Sequence, residues 1–267
     1  MSGTAMHIDA IRSAPSECFL GIDFSALSLT AVAAQISAQS SSPAFSYVVT
    51  PNVDHIVKLK GDSPFPQRTS FQAAYDSAAF TLCDSRILGG LARIFGYQLA
   101  VVPGSDLTAM LFKRHFSDQS RIAIVGGRED MLTRLNALFP GPDYQQHIPP
   151  MGLLDNEEAM RRAEDFVCDA KAHYTLFAIG APQSEILAHR CLKRGAASGI
   201  GLCIGASIEF LLGDQIRAPQ WMQNIGLEWA FRLASNPQRL WRRYLVEGPR
   251  IFAIVAKWRY AGRSAAI

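Results

Sequence analysis

Polar or glycine residues follow four apolar runs that are predicted to be strands. These strand ends are Thr50–Asn52, Asp84, Gly126–Gly127 and Gly180–Glu185. A carboxylate at the apolar end of a strand is partly desolvated, which raises its pKa and suits it to acid–base chemistry. Asp84 is therefore the first candidate for a catalytic base, and capping of the following helix is the simpler alternative.

The segments between these ends predict the fold that must position them. Apolar strands alternate with helices at a spacing that requires crossover connections, which predicts a Rossmann-like α/β fold with a mainly parallel sheet and flanking helices. Carboxyl ends of parallel strands share one edge and bind ligands there. Each polar end alone is more simply a turn, but together they favour one ligand site.

Several local elements are predicted from the same patterns. Residues 19–36 are expected to form one strand and a helix capped by Ser25 or Ser28, and residues 140–150 to form a loop. One helix is predicted near 221–233, in which Glu228 and Arg232 are spaced to form an ion pair.

A second C-terminal helix is predicted to start with Asn236 as its N-cap and Pro237 at its first helical position. It should end before Gly248, which is expected to adopt a left-handed conformation. At about 100° per residue its apolar and basic side chains lie on separate faces. The apolar face would carry Leu240, Trp241, Tyr244 and Leu245, and the basic face Arg239, Arg242 and Arg243.

Charge is unevenly distributed along the 267 residues. Residues 217–267 hold nine Lys and Arg against two acidic residues, whereas residues 1–216 hold 17 basic and 21 acidic residues. We therefore expect a leader over 1–16, an α/β catalytic body over 17–216 and a basic helical appendage over 217–267 that contacts an anionic surface. No apolar run reaches about 18 residues, so a soluble or peripheral protein is expected.

Other classes of site lack their signatures. The sequence contains no GxGxxG, GxxxxGK[ST] or GxSxG motif, which argues against a dinucleotide enzyme, a P-loop enzyme and an α/β-hydrolase. The six histidines show no paired ligand spacing, and the five cysteines form no CxxC pair. We therefore expect no metal, no cofactor and reduced thiols in a cytoplasmic protein.

A set of motifs resembles the WecG/TagA/CpsF glycosyltransferases in order and spacing over about residues 19–250. They are TPN (50–52), Asp84, PGSDL (103–107), GAPxxE (180–185), RAP (217–219), GLEW (226–229), FRL (231–233) and PxRxxRRYL (237–245). The resemblance implies transfer of a sugar, with inversion and without a metal, from a UDP-sugar to a polyprenyl-diphosphate-linked saccharide. It also implies surface-polysaccharide synthesis by a peripheral protein on the inner face of the cell membrane.

Site residues are proposed from the strand ends and the resemblance together. The resemblance implies that Asp84 is the general base. The candidate substrate-binding residues are Thr50, Asn52, Gly104, Ser105, Asp106, Gly126, Gly127, Gly180, Pro182, Gln183, Ser184, Glu185 and Glu209. The resemblance implies phosphate or lipid-diphosphate binding by Arg217, Arg232, Arg239, Arg242 and Arg243.

Three positions depart from the family pattern. Ser85 replaces the usual Gly, Ser184 the usual Gln, and Val101 a frequent Arg. These departures keep a second hypothesis open, that of a non-catalytic nucleotide- or polyanion-binding module. Nucleic acid is a weaker alternative and is not expected as a partner, because the positive charge is confined to one helix pair and no nucleic-acid motif is present. A homo-oligomer is compatible with the sequence.

Overall fold

The computed structural model describes residues 15–264 and is built around a six-stranded parallel sheet of order β4-β3-β8-β7-β5-β6. A two-stranded antiparallel hairpin, β1 and β2, precedes it. The strands are β1 (Ser16–Phe19), β2 (Ile22–Ser25), β3 (Ser46–Val49), β4 (Phe80–Thr81), β5 (Arg121–Gly126), β6 (Asp143–His147), β7 (Tyr174–Ala178) and β8 (Ile200–Cys203).

Helices cover both faces of this sheet, which is why its central strands are almost continuously apolar. They are α1 (Leu29–Gln39), α2 (Val53–Lys60), α3 (Arg68–Asp76), α4 (Arg86–Ile94), α5 (Gly104–Arg114), α6 (Met131–Leu138), α7 (Glu157–Asp169), α8 (Gln183–Arg194), α9 (Ser207–Leu211), α10 (Gln220–Asn224), α11 (Glu228–Ser235), α12 (Pro237–Trp241) and α13 (Arg250–Ser264). A 3₁₀ turn (Leu153–Asp155) and a π-helix (Arg242–Glu247) complete the elements.

Two hydrophobic cores lie on opposite faces of the sheet. Successive strand residues point to opposite faces, so Val48 joins the core beside Leu107 and Leu111, whereas Val49 joins the core beside Phe71 and Phe177. The predicted α/β class with a parallel sheet is confirmed. Within residues 15–264, no helix combines the length and apolar character needed to cross a bilayer.

The structure corrects two local predictions in the body. Residues 19–36 contain a hairpin turn at Leu20–Gly21 before α1, so the prediction of a single strand was wrong, while Ser28 caps α1 by accepting a hydrogen bond from Ala31 N at 3.2 Å. The predicted loop over 140–150 contains β6, which pairs with β5. This strand was missed because its sequence, DYQQH, is mostly polar and occupies an edge of the sheet.

The C-terminal stretch divides into two parts. We call residues 220–247, from α10 to the π-helix, the strap, and α13 the closing helix. No side chain of α11, α12 or the π-helix is buried. The closing helix instead buries Ile251 and Val255 in the core of the body. Its Trp258 packs against Phe19, with ring centroids 5.4 Å apart.

The strap differs from the predicted pair of helices. A break at Gly226, where φ is +75°, separates α10 from α11, so the prediction of one helix over 221–233 was wrong. The start at Pro237 is confirmed, although the Asn236 side chain makes no capping hydrogen bond. After Trp241 the chain continues as the π-helix, in which hydrogen-bond partners are five positions apart rather than the four of an α-helix.

The end of the π-helix also corrects the role expected of Gly248. Its φ is −52°, so it is not left-handed. A Cβ at Gly248 would lie 3.1 Å from Arg243 O and 3.2 Å from Tyr244 O, so a larger residue would fit only if this backbone shifted by a few tenths of an ångström. The altered winding also places Arg243, Tyr244 and Leu245 together on one cleft wall, which contradicts the predicted separation of basic and apolar faces.

Candidate active site

Asp84 is held at the carboxyl edge of the sheet by contacts on both sides. Its N–H donates to Pro51 O at 2.9 Å, beyond the end of β3. Its Oδ1 accepts a hydrogen bond of 2.9 Å from Gly104 N, at the first residue of α5. Ser85, not Asp84, caps α4 by accepting from Leu88 N at 3.2 Å. The carboxylate is therefore free to face the adjoining cleft.

The environment of Asp84 brings the pKa of its carboxyl group close to neutral pH. Burial raises its pKa to about 7, against the opposing effects of the Gly104 N–H and the Arg232 charge. The nearby carboxylates of Glu228 and Asp106 raise the pKa further. A base is most effective when its pKa lies near the working pH, so Asp84 is suited to proton abstraction.

Asp84 opens into a cleft of about 370 Å³ between the body and the strap. One set of side chains in its lining is basic: Arg86, Arg217, Arg232 and Arg243. A second set is acidic: Asp54, Asp84, Asp106 and Glu228. Apolar side chains form another part of the wall: Ile87, Trp229, Leu245 and Phe252. The cleft therefore combines a charged region suited to phosphate with an apolar wall.

Two of these arginines share one aromatic ring, that of Phe210. The Arg232 guanidinium lies 4.8 Å from the ring centroid and that of Arg217 lies 6.0 Å from it. Arg217 Nη1 also contacts Asp106 Oδ1 at 2.7 Å, and its Nη2 donates to Ser105. Arg232 Nη2 lies 2.5 Å from Glu228 Oε1, which confirms the predicted pair.

The opposite wall of the cleft begins at Asn52. Its side chain caps α2 by accepting from Asp54 N at 3.0 Å. Asp54 lies 2.8 Å from Lys58 Nζ and 3.7 Å from Arg243 Nη2 of the strap. Burial would raise the pKa of Asp54, but the charges of Arg243 and Lys58 hold it below its usual value.

The strand ends next to Asp84 form the remainder of this edge. Thr50 Oγ1 donates to Cys203 O at 2.8 Å, which joins the ends of β3 and β8. A Cβ at Gly104 would lie 3.4 Å from both Thr50 Oγ1 and Ser207 Oγ. Gly104 therefore lets α5 begin close to both hydroxyl groups, beside the cleft rather than in its lining.

Further along the edge lie the glycines of β5 and β7. Gly126 and Gly127 have φ values of +102° and +80° at the end of β5. Gly180 follows β7 with φ +76° and has open space where a Cβ would stand. These glycines do not line the Asp84 cleft. The strand order runs from Asp84 through Thr50 to Gly180 and Gly126, so the edge could hold an elongated ligand.

Among the predicted residues at the start of α8, Ser184 and Glu185 are buried, whereas Gln183 is partly exposed. Pro182 follows a cis peptide bond and Gln183 begins α8. Ser184 is buried and donates to Phe177 O at 3.3 Å. Glu185 is 2% exposed, 3.9 Å from His55 Nδ1, and burial raises its pKa to about 7. These four residues do not line the cleft.

The remaining predicted site residues, Glu209, Arg239 and Arg242, lie outside the lining of the Asp84 cleft. Glu209 in α9 accepts a hydrogen bond from Gln215. Arg239 and Arg242 are exposed on the strap and outside the cleft lining, and Arg242 Nε lies 3.7 Å from Glu247 Oε1. Val101 forms a parallel bridge with Cys83, next to Asp84, and closely approaches Gly89.

Several cleft residues were not among the predicted site residues. They include Asp54, Arg86, Gln223, Glu228, Trp229, Tyr244 and Phe252. Asp54 and Arg86 could have been found, because each lies two residues after a predicted site residue. The strap residues depend on how distant segments pack, which local patterns do not predict.

Residues 17–265 match the family model described as the glycosyl transferase WecG/TagA/CpsF family. The match spans the body, the strap and the closing helix, and it includes both Asp84 and the arginine-lined cleft. The chain therefore belongs to the WecG/TagA/CpsF family of glycosyltransferases.

Proposed function

We propose that this glycosyltransferase is metal-independent and moves a sugar, with inversion, from a UDP-sugar to a polyprenyl-diphosphate-linked saccharide. Its product would be an intermediate of a surface polysaccharide. The observation that carries the proposal is the Asp84 carboxylate, whose pKa is raised to about 7, in a cleft lined by four arginines. This arrangement supplies a base for a sugar hydroxyl and positive charge for phosphate groups.

Asp84 acts on the acceptor in this mechanism. Its ionised carboxylate takes the proton of the acceptor hydroxyl while the hydroxyl oxygen forms a bond to the anomeric carbon of the donor. The bond from that carbon to the diphosphate oxygen breaks, and UDP leaves with the electron pair. Attack from the face opposite to UDP inverts the anomeric configuration. The Gly104 N–H orients the carboxylate through its 2.9 Å hydrogen bond.

The arginines stabilise the charge that develops on the departing UDP. Guanidinium groups form paired hydrogen bonds with phosphate oxygens and remain charged at all physiological pH values. Arg217 and Arg232 share the Phe210 ring close to Ser105 and Asp106 at the start of α5. Preorganised donors of this kind lower the barrier most where charge appears in the transition state.

The donor nucleotide is proposed to lie along the glycine-bearing edge of the sheet. Gly126, Gly127 and Gly180 leave the backbone accessible there, and Thr50 and Gly104 connect this edge to Asp84. Open parallel sheets bind nucleotides at such carboxyl ends. The acceptor saccharide would then occupy the Asp84 cleft beneath the strap.

The strap is proposed to contact the inner face of the cell membrane. Its exposed apolar side chains include Trp221, Ile225 and Trp241, and its Arg239 and Arg242 are exposed as well. Aromatic and basic side chains together bind the headgroup region of anionic membranes. This contact would bring the cleft to an acceptor whose prenyl chain remains in the bilayer.

The Asp84→Asn variant tests the proposal. Asn retains the oxygen that accepts the Gly104 N–H but cannot remove a proton, so transfer should fall by about 10²- to 10⁴-fold. UDP release is measured over a panel of UDP-sugars with a short prenyl-diphosphate-linked saccharide. UDP binding, measured by calorimetry, should survive.

Asp62→Asn is the matched control, because Asp62 is an exposed carboxylate paired with Lys257 and lies outside the cleft. It should retain wild-type transfer. Turnover by Asp84→Asn comparable to the wild type would remove Asp84 from the role of base. Failure of every UDP-sugar to react with the wild-type protein would refute the proposed donor class.

A further inference from the structure

Two arginines of the cleft already form ion pairs with carboxylates of the same cleft. Arg217 Nη1 lies 2.7 Å from Asp106 Oδ1, and Arg232 Nη2 lies 2.5 Å from Glu228 Oε1. Both guanidinium groups also lie within 6.0 Å of the centroid of the Phe210 ring. Each of them has one carboxylate as its counter-charge. The arginines that are suited to phosphate are thus already paired with carboxylates of the protein.

Charge balance limits what these carboxylates can do when a substrate binds. Four basic and four acidic side chains line the cleft, so with Asp84 ionised their formal charges cancel. A diphosphate would add further negative charge next to Asp106 and Glu228. Ionised carboxylates and phosphates only accept hydrogen bonds, so Asp106 and Glu228 cannot bind a diphosphate directly.

We propose that Asp106 and Glu228 are positioning residues that hold Arg217 and Arg232 until a substrate binds and then release them to its diphosphate. The inference rests on the proposed function, which supplies the diphosphate ligand. The sequence predicts that Asp106 binds substrate, and in this proposal its contribution passes through Arg217. Binding then exchanges one anion for another at each guanidinium, so neither arginine is left without a counter-charge.

The partial exposure of these pairs makes the exchange feasible. The side chains of Arg217 and Asp106 are 38% and 32% exposed, and those of Arg232 and Glu228 are each 35% exposed. Pairs with this access to water contribute little net stability and separate readily. Arg232 Nε is buried without a hydrogen-bond partner, so this guanidinium retains a free donor for an incoming anion.

Binding of UDP and of geranyl diphosphate, each measured by calorimetry, tests the exchange. Asp106→Asn removes the competing charge while leaving Arg217 in place, so affinity for at least one diphosphate should rise by about three- to fivefold. Structural damage would weaken binding rather than strengthen it. Asp106→Glu should restore wild-type affinity. In an Arg217→Gln background, Asp106→Asn should bring no gain.

Asp214→Asn is the matched control. Asp214 pairs with Arg134 at 2.7 Å in the same way but lies outside the cleft, so its loss should leave diphosphate affinity unchanged. Glu228→Gln gives an independent test at Arg232 and should also tighten binding. Unchanged or weaker binding of both ligands by Asp106→Asn and Glu228→Gln would overturn the inference.

The outcomes separate this inference from the proposed function. If the wild type transfers sugar but neither variant binds a diphosphate more tightly, only the exchange is wrong. If the wild type binds neither UDP nor geranyl diphosphate, the proposed function and the exchange both fail.

Discussion

The strap and the closing helix are similar in composition but differ in how they meet the body. Both are rich in basic and aromatic residues, and both lie in the basic C-terminal stretch. The strap buries none of the side chains of α11, α12 or the π-helix and exposes Trp221 and Trp241, whereas the closing helix buries Ile251 and Val255 and packs Trp258 on the hairpin. A basic, aromatic, amphipathic pattern in the sequence is therefore compatible with either surface contact or core packing.

A matched pair of valines gives the largest expected difference between the two parts. Val255 of the closing helix is 2% exposed and Val246 of the strap is 42% exposed. Val255→Asp should lower the free energy of unfolding by about 3 kcal/mol or more, because it places a carboxylate in an apolar core. Val246→Asp should change it by less than about 0.5 kcal/mol. Chemical denaturation measures both. Equal losses would contradict the distinction between strap and closing helix.

Tryptophan variants test membrane contact with a smaller expected effect. Trp221 and Trp241 are 62% and 51% exposed on the strap. Replacing both with Ala should weaken binding to anionic phospholipid vesicles by roughly thirtyfold, through the loss of about 2 kcal/mol of apolar transfer.

Trp258→Ala is the comparison for that experiment, because this tryptophan packs against Phe19 and Tyr97. It should lower stability and leave vesicle affinity close to that of the wild type. Vesicle sedimentation measures the affinity. Equal losses of affinity in the strap and closing-helix variants would contradict a membrane surface confined to the strap.

The pH dependence of transfer should show that the strap, and not the closing helix, tunes the base. The pKa of Asp84 is raised to about 7, so the ionised fraction, and with it the transfer rate, should rise by about tenfold from pH 6 to pH 8. Glu228→Gln removes a charge that raises this pKa and frees Arg232, which lowers it. The rate profile should therefore shift to lower pH.

Lys257→Gln provides the control for the pH profile. Lys257 lies on the closing helix, pairs with Asp62 and is not among the groups that shift the Asp84 pKa. Its replacement should leave the profile in place. A profile that does not respond to Glu228→Gln would show that the strap has no electrostatic effect on the base.

The sequence predicted those features that depend on local pattern. The position of Asp84 at a strand end follows from an apolar run and its abrupt end, and the Glu228–Arg232 pair follows from helical spacing. The polar edge strand β6 was missed because an edge strand need not bury an apolar face. The π-helix was missed because its extra residue per turn follows from packing rather than from propensity.

Contacts between distant segments could not be predicted from local patterns. Arg217 meets Ser105 across 112 positions of the chain, and both residues line the cleft. The burial of Glu185 depends on α2, α3 and α8 packing together, so local sequence patterns could not predict its position beneath the surface. The assignments of Arg239 and Arg242 to phosphate groups remain predictions.

The strap has no free end over the cleft. Ala218 is buried just before it and Ile251 just after it, so the strap is anchored to the body at both ends. A segment anchored at both ends can loosen over the cleft but cannot open like a flap that is hinged at one end. For the prenyl-linked acceptor of the proposed function, we therefore expect the lipid tail to stay outside while the sugar end passes beneath the strap, so that the size of the glycan, not the length of the lipid, would limit the acceptors.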